Sequence, residues 1–165
     1  RKTLGSGRCL NWHRRQLVDP PARSRLTMVS TILGFDFGSK KIGVAVGQSL
    51  TQTASGLETI QFVNKKPDWT RIEKLIKEWQ PDTLLVGIPY NMDGTEQPIS
   101  KKARAFAQQL QERFSLDVQG VDERLSTRAS WQLLSEHSTN SYQKKRKHID
   151  QVCATLIIET WFSSY

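Results

Sequence analysis

The sequence predicts an α/β domain, with a mixed five-stranded sheet and helices packed on its faces. Two adjacent apolar segments, at residues 32–38 and 39–46, have the glycine turn and the composition of paired antiparallel strands. Beyond residue 67, helical periodicity alternates with short apolar runs, which is the pattern of strands joined by helices. The element order is therefore β-β-β-α-β-α-β-α-α, a three-stranded antiparallel meander followed by parallel strands.

The meander begins with a segment that delivers one carboxylate to a tight turn, Ile32-Leu33-Gly34-Phe35-Asp36-Phe37-Gly38. Asp36 is the only acid in a long apolar neighbourhood. One interpretation is an aspartate that caps the turn, since Asp is a common turn residue. The other is a buried carboxylate that is paired or holds a metal. The third strand is expected within residues 51–63, where Thr, Ile, Phe and Val are frequent.

The remaining elements follow from periodicity and from helix-ending residues. Asp68 is expected to cap a helix with one apolar face, and Pro81 is expected to stop that helix. Residues 83–88 form a continuous apolar run, which suits a strand buried on both faces. After it come a loop at 89–94, a helix that opens near Pro98, a short strand at 116–121, a helix at 125–136, a polar segment at 137–147 and a final helix with apolar positions from Ile149 to Ile157.

Composition limits the class of protein. The 165 residues suffice for one domain with a proper core, and no apolar run is long enough to cross a bilayer, so no membrane partner is expected. Two cysteines, Cys9 and Cys153, do not make a disulfide framework. Cys153 lies in an apolar helical stripe and is predicted to be a buried thiol, which fits a cytoplasmic location.

Residues 1–27 differ from the rest of the chain. They carry seven basic side chains and one acid, so +6 of the net charge of +8 lies in this segment and the remaining domain is near neutral. Such a segment fits an organelle transit peptide, a disordered basic arm that binds nucleic acid, or sequence upstream of a true start at Met28. We favour the last and exclude residues 1–27 from the fold as a disordered or non-native extension. Residues 28–165 are then expected to form one domain.

Three acids stand at chemically informative places: Asp36 on the first strand, Glu123 just past the last strand and Asp150 at the start of the final helix. Sites in α/β sheets form outside the carboxyl ends of strands, so Asp36 and Glu123 could meet there if their strands are neighbours. Three carboxylates together repel one another unless divalent cations neutralise them, and oxygen ligands suit Mg²⁺ or Mn²⁺. Each acid also has a structural interpretation: Glu123 could pair with Arg124 on the surface, and Asp150 could favour a helix N-terminus.

Four motifs stand in order along residues 28–165. They are Gly34-Phe35-Asp36-Phe37-Gly38 with Ile42-Gly43-Val44-Ala45, Val86-Gly87-Ile88-Pro89 with Asp93-Gly94, Asp122-Glu123-Arg124-Leu125-Ser126-Thr127, and Asp150-Gln151-Val152-Cys153-Ala154 with Leu156-Ile157-Ile158. Together they resemble the motifs of the YqgF/RuvX family, bacterial proteins described as Holliday junction resolvases and as the nuclease that matures the 5′ end of pre-16S rRNA. The resemblance implies an RNase H-like fold.

By the same resemblance, the chain would be a metal-dependent nuclease that acts on pre-16S rRNA. The family's acidic residues carry over to Asp36, Glu123 and Asp150. These would hold two Mg²⁺ or Mn²⁺ ions, with Asp36 between the ions and water as the nucleophile. The residues expected to contact nucleic acid are Arg124, Thr127, Lys40 and Lys41, together with the basic run Lys144, Lys145, Arg146 and Lys147, which could equally be a solvated loop. Lys40-Lys41 stands where the family often has an Arg, which keeps the charge but loses the bidentate geometry.

Other functions stay open at this stage. The same acids would serve Holliday junction resolution on branched DNA, which needs two coordinated cuts and so a symmetric dimer; the rRNA nuclease would be a monomer or a homodimer. A non-catalytic nucleic-acid-binding factor fits a domain with few basic residues. Residues 36–39, Asp-Phe-Gly-Ser, also resemble the phosphate motif of actin-like ATPases. Those enzymes need a second, similar domain, for which this chain has no room.

Overall fold

A computed structural model describes residues 30–124 and 149–164 of the chain. The strands are β1 (Thr31–Phe37), β2 (Lys41–Gln48), β3 (Thr53–Gln61), β4 (Thr83–Ile88) and β5 (Asp117–Asp122), and the helices are α1 (Trp69–Trp79), α2 (Pro98–Phe114) and α3 (Ile149–Ser163). The strands form one five-stranded sheet in the order β3-β2-β1-β4-β5. The predicted α/β class and the predicted number of strands are confirmed.

The sheet is mixed, as the sequence predicts. β1 pairs with β2 and β2 with β3 in the antiparallel sense, while β1 pairs with β4 and β4 with β5 in parallel. β3 ends at Gln61, two residues before the predicted limit. The chain turns there, because Asn64 and Lys65 have positive φ angles and Val63 bridges to Lys66.

The two faces of the sheet are packed differently. On one face, Leu33, Phe35 and Phe37 of β1 join the larger core under α1 and α2, where the rings of Phe35 and Phe106 meet edge-on with centroids 5.8 Å apart. The opposite face packs against α3, in a smaller core that includes Ile32 and the α3 residues Ala154, Ile157 and Ile158. Because side chains alternate along a strand, Gly34 and Asp36 share the α3 face with Ile32.

The first two helices confirm their sequence signals. The Asp68 carboxylate accepts a hydrogen bond of 3.1 Å from the backbone N–H of Arg71 and so caps α1. The helix ends at Trp79, because Gln80 takes a left-handed conformation with φ of 43° and Pro81 follows. α2 begins at Pro98, a position at which a helix has no use for a backbone N–H.

Three predicted segments lie outside the described residues: the extension at 1–27, the helix at 125–136 and the polar segment at 137–147. Within the described residues, no helix is both long and apolar enough to span a membrane. Cys153 is half-buried rather than buried. It lies at the flank of α3, whose buried positions are Ala154, Leu156, Ile157 and Ile158.

Candidate active site

The candidate site is centred on Asp36, near the carboxyl end of the central strand β1. Asp36 lies opposite Gly43 of β2. On the other side, Phe35 pairs with Val86 of β4, so Gly87 is the residue beside Asp36. Asp36 therefore lies between two residues without side chains, on the face that α3 covers. This row of Gly43, Asp36 and Gly87 explains how the other two acids reach it.

Glu123 reaches Asp36 across β4. A Cβ atom on Gly87 would lie only 1.8 Å from Glu123 Oε1, so the carboxyl group occupies the space that a side chain at this position would fill. The backbone N–H of Glu123 also bonds to the carbonyl oxygen of Ile88 at 3.2 Å, which fixes the start of the side chain. The sequence argument required β1 and β5 to be neighbours. They are not, because β4 lies between them, and Gly87 is what lets the two carboxyl groups meet.

Asp150 reaches the site because α3 begins directly on β2. A Cβ atom on Gly43 would lie 2.0 Å from the Asp150 carbonyl oxygen and 2.9 Å from its Cβ atom. The first turn of α3 therefore touches the backbone of the strand beside Asp36. Gly43 and Gly87 both stand in the sequence motifs. The sequence alone did not indicate that Asp150 packs against the first glycine and Glu123 against the second.

The carboxyl groups of Asp36 and Glu123 behave as a coupled pair. Burial, the negative charge of Asp36 and a hydrogen bond to Asp36 together raise the pKa of Glu123 to about 8. Burial and the charge of Asp150 raise the pKa of Asp36 to about 6, although the bond from Glu123 and the charge of Lys41 act in the opposite direction. Glu123 thus keeps its proton at neutral pH and donates it to Asp36.

Lys41 forms an ion pair with one acid of the site. Its Nζ lies 2.6 Å from Asp150 Oδ2, and 42% of the lysine side chain is exposed, against 16% for the aspartate. Lys41 was predicted to contact nucleic acid, and here it binds an acid of the site. Lys40, the neighbouring predicted contact, is exposed, and its carbonyl oxygen accepts a bond from Phe62.

Arg124 binds Asp122 rather than Glu123. Its Nε lies 2.9 Å and its Nη2 2.5 Å from Asp122 Oδ2, and its backbone N–H bonds to Asp122 Oδ1 at 3.0 Å. The surface pair of Glu123 and Arg124 considered from sequence is therefore wrong, because the acid that precedes Glu123 takes the guanidinium. The remaining predicted contacts, Thr127, Lys144, Lys145, Arg146 and Lys147, lie outside the described residues.

The carboxylate oxygens of the three acids are suitable ligands for a divalent cation, although they do not form a complete coordination sphere. Within residues 30–124 and 149–164, no three acidic, histidine or cysteine side chains lie close enough to hold a metal ion. Asp150 faces Lys41, whereas Asp36 and Glu123 face each other. All three acids nevertheless offer hard oxygen ligands, and two of them, Asp36 and Glu123, are half-buried and have raised pKa values that a cation would lower. The buried hydroxyl of Thr59, opposite Gly43 in the register, finds no hydrogen-bond partner among the described residues.

Comparison with known proteins agrees with the motifs. A family model described as "RuvX: Holliday junction resolvase" matches residues 30–164. A relative from Actinobacillus pleuropneumoniae serotype 7 (strain AP76) is 48% identical over 137 residues, which are 83% of this chain and 99% of that protein. A relative from Escherichia coli (strain SE11) is 49% identical over 135 residues, 82% of this chain and 97% of that protein. The names of both relatives propose them as pre-16S rRNA nucleases.

Solved structures confirm the predicted fold. The T. thermophilus RuvC protein, solved in complex with a Holliday junction substrate, covers 82% of this chain and 94% of its own, with a TM-score of 0.50 and 14% identity. The fowlpox virus Holliday junction resolvase covers 81% of this chain and 98% of its own, with the same TM-score and identity. At such low identity the likeness concerns the fold alone, which is RNase H-like.

Proposed function

The chain belongs to the RuvX family, and we propose that it is a metal-dependent nuclease that hydrolyses phosphodiester bonds in the 5′-end processing of pre-16S rRNA. The observation that carries the proposal is the contact between Asp36 and Glu123 across Gly87. Packing usually excludes two carboxyl groups from a buried position, because burial and mutual repulsion both oppose their ionisation. Gly87, the β4 residue that lets these two carboxyl groups meet, is therefore better explained by a catalytic role of the pair than by packing.

The proposed cofactor is Mg²⁺ or Mn²⁺, as two ions held by Asp36, Glu123 and Asp150. When bound, such ions lower the pKa of an attacking water and neutralise the charge on the leaving oxygen. Glu123 must first release its proton, since only a carboxylate is a ligand. Asp36 interacts with both of the other acids and would supply its carboxylate to the same metal site.

Lys41 has two parts in the proposal. While no divalent cation is present, its ammonium balances Asp150 at 2.6 Å. If Asp150 held a metal ion instead, the half-exposed lysine side chain would be available to pair with a phosphate of the substrate. Lys40, Thr127 and the basic run at 144–147 would hold the rest of the phosphate backbone, whereas Arg124 is already paired with Asp122.

The proposed substrate is structured RNA of the pre-ribosome in the cytoplasm, which a monomer could cleave. The names of the relatives favour rRNA. The description of the family model and the fold likeness to junction-binding enzymes favour a second candidate, the resolution of branched DNA by a homodimer.

One experiment separates these functions. The full chain is incubated with an RNA that carries the pre-16S 5′ leader and, separately, with a four-way DNA junction, in Mg²⁺ or Mn²⁺. Asp36→Asn is the test variant. Asp117→Asn is the matched control, since Asp117 is exposed at the opposite end of β5. RNA cleavage that Asp36→Asn abolishes and Asp117→Asn preserves supports the proposal.

Other results would redirect it. Paired, symmetric cuts in the junction alone would establish the resolvase instead. Binding of either nucleic acid without metal and without any cleavage that depends on Asp36 would leave a nucleic-acid-binding factor on a nuclease fold, and the proposal would be wrong.

A further inference from the structure

A pocket of about 270 Å³ opens beside the acidic site, between the loop that follows β4 and the end of β5. Tyr90, Asn91 and Met92 form its loop side, and Glu123 and Arg124 form its β5 side. Glu123 thus belongs to both the pocket and the pair of carboxyl groups. A nucleotide next to a phosphodiester held at Asp36 and Glu123 would therefore lie near the mouth of this pocket.

The walls of the pocket are held in place by charge-assisted contacts. The Tyr90 hydroxyl accepts a bond of 2.7 Å from Arg104 Nη2, and Arg104 is itself paired with Glu96. On the other side, the guanidinium of Arg124 lies 5.8 Å from the centre of the Tyr90 ring. Asp122 forms an ion pair with this guanidinium. Two planar groups of fixed orientation therefore line one cavity.

The loop itself is ordered by its own polar groups. The Asn91 amide donates to the Thr95 hydroxyl at 2.8 Å, and the Asp93 carboxylate accepts from the Thr95 backbone at 2.9 Å. Gly94 takes a φ of +86°, and a Cβ there would lie 3.2 Å from Arg124 Nη1, so the turn packs against the guanidinium. A pocket with such walls is preformed, which lowers the entropic cost of binding.

The charges of the pocket select an uncharged, planar ligand over a phosphate. Asp122 neutralises Arg124 and Glu96 neutralises Arg104, so both guanidinium groups are already paired with a carboxylate. Met92 adds an apolar side chain that is 75% exposed at the rim. Aromatic rings and guanidinium planes are the surfaces on which unpaired bases of RNA stack. A volume of about 270 Å³ is slightly below that of sites for drug-sized molecules and suits a single base.

We propose that this pocket binds the unpaired nucleobase of the nucleotide next to the scissile phosphate. The inference rests on the proposed nuclease function for its position in the reaction, but the binding itself needs no cleavage. Its consequence is that the enzyme cuts where a base can leave its stack. Paired duplex would then be a poor substrate, since unstacking a base costs a few kcal/mol.

The test measures binding in the absence of divalent metal, with the full chain. A single-stranded RNA carries 2-aminopurine, a fluorescent base, at each position in turn, and a second series carries an abasic nucleotide at each position. We expect quenching of 2-aminopurine at one position and a loss of affinity of about tenfold when that same position is abasic, the size of one base stacking on an aromatic side chain.

Protein variants complete a double-mutant cycle. Tyr90→Leu is expected to lose the quenching and to bind the intact RNA about tenfold more weakly, but to bind the abasic RNA as the unchanged protein does, because both changes remove one contact. Tyr90→Phe keeps the ring and should keep the quenching. Leu50→Ala, at a side chain that is 74% exposed, is the matched control for Met92→Ala at the rim.

The outcomes distinguish the pocket from the nuclease. If the losses from Tyr90→Leu and from the abasic nucleotide simply add, or if no position is quenched, the pocket does not bind a base. Should Tyr90→Leu unfold, the 2-aminopurine and abasic series decide the question by themselves. Position-specific quenching without any cleavage in metal would establish the base site while refuting the nuclease proposal.

Discussion

Replacing Gly87 by alanine should inactivate the enzyme without unfolding it. The new Cβ would lie 1.8 Å from Glu123 Oε1, against the 3.4 Å of an ordinary contact, so the carboxyl group must retreat by about 1.6 Å. The atom in the way is the far end of a flexible side chain, which can move. A displacement of about 1 Å in a reacting group can cost roughly a hundredfold in rate. We therefore expect kcat to fall at least about a hundredfold, which is about 2.7 kcal/mol of transition-state stabilisation.

The same substitution should cost little stability. Alanine in a strand interior gains roughly 0.5–1 kcal/mol over glycine. Overpacking costs about 1–3 kcal/mol, and here the crowded core atom is Ile157 Cδ1, 2.5 Å from the new Cβ. The net loss is then at most about 2.5 kcal/mol, a fall in Tm of less than about 10 °C for a domain of this size.

The assay compares cleavage rate, Tm and the pH profile of Gly87→Ala with those of Gly47→Ala. Gly47 lies on the same face, and the nearest atoms to a Cβ there would belong to Ile158, at 2.6 Å, and to Thr53 rather than to an acidic group. Gly47→Ala should therefore lose similar stability and keep its activity. In Gly87→Ala the pKa of Glu123 should fall toward its ordinary value, because the carboxyl group leaves Asp36. Full activity in Gly87→Ala, or equal losses of activity in both variants, would refute the reasoning.

Three further predictions follow from the same geometry. Because the pKa of Glu123 is raised in the folded protein to about 8, its contribution to stability is complete below the ordinary pKa of 4.5 and is lost as the pH rises through 8. The Tm of the metal-free protein should fall across that range, and a Glu123→Gln variant whose Tm falls as steeply would contradict the assignment. Lys41→Gln removes the cation that lies 2.6 Å from Asp150, so calorimetry should show Mn²⁺ binding several-fold more tightly, while the salt dependence of RNA binding loses roughly 0.7–0.9 in slope; unchanged Mn²⁺ affinity would mean that the lysine does not compete. Gly43→Ala places a Cβ 2.0 Å from the Asp150 carbonyl oxygen, which is backbone and cannot turn aside, so urea unfolding should show a loss of about 3 kcal/mol or more.

The sequence was informative wherever one residue settles a local conformation. Asp68 caps α1 and Pro98 opens α2 as predicted, since caps and helix starts depend on a few adjacent residues. The apolar runs and the glycine turn likewise identified the strands.

The site was only partly predictable, because its contacts join residues far apart in the chain. The three acids could be named, but the order of strands separates β1 from β5, and no local pattern reveals that Glu123 crosses β4 over Gly87. The sequence left the partner of Arg124 open for a similar reason. Two acids precede it, and only the bend after β5 determines which one faces the guanidinium.

The two faces of the sheet have different roles, one in the packed core and one in the candidate active site. The α1 and α2 face holds the interlocking aromatic rings of Phe35, Phe37 and Phe106, while the α3 face has given up side-chain volume at Gly43 and Gly87. Neighbouring residues of β1 thus contribute to the aromatic core on one face and to the candidate active site on the other. A protein engineer could therefore enlarge or rigidify the aromatic side without disturbing the chemistry. On the other side, a methyl group added at Gly87 would lower turnover directly, because it displaces Glu123.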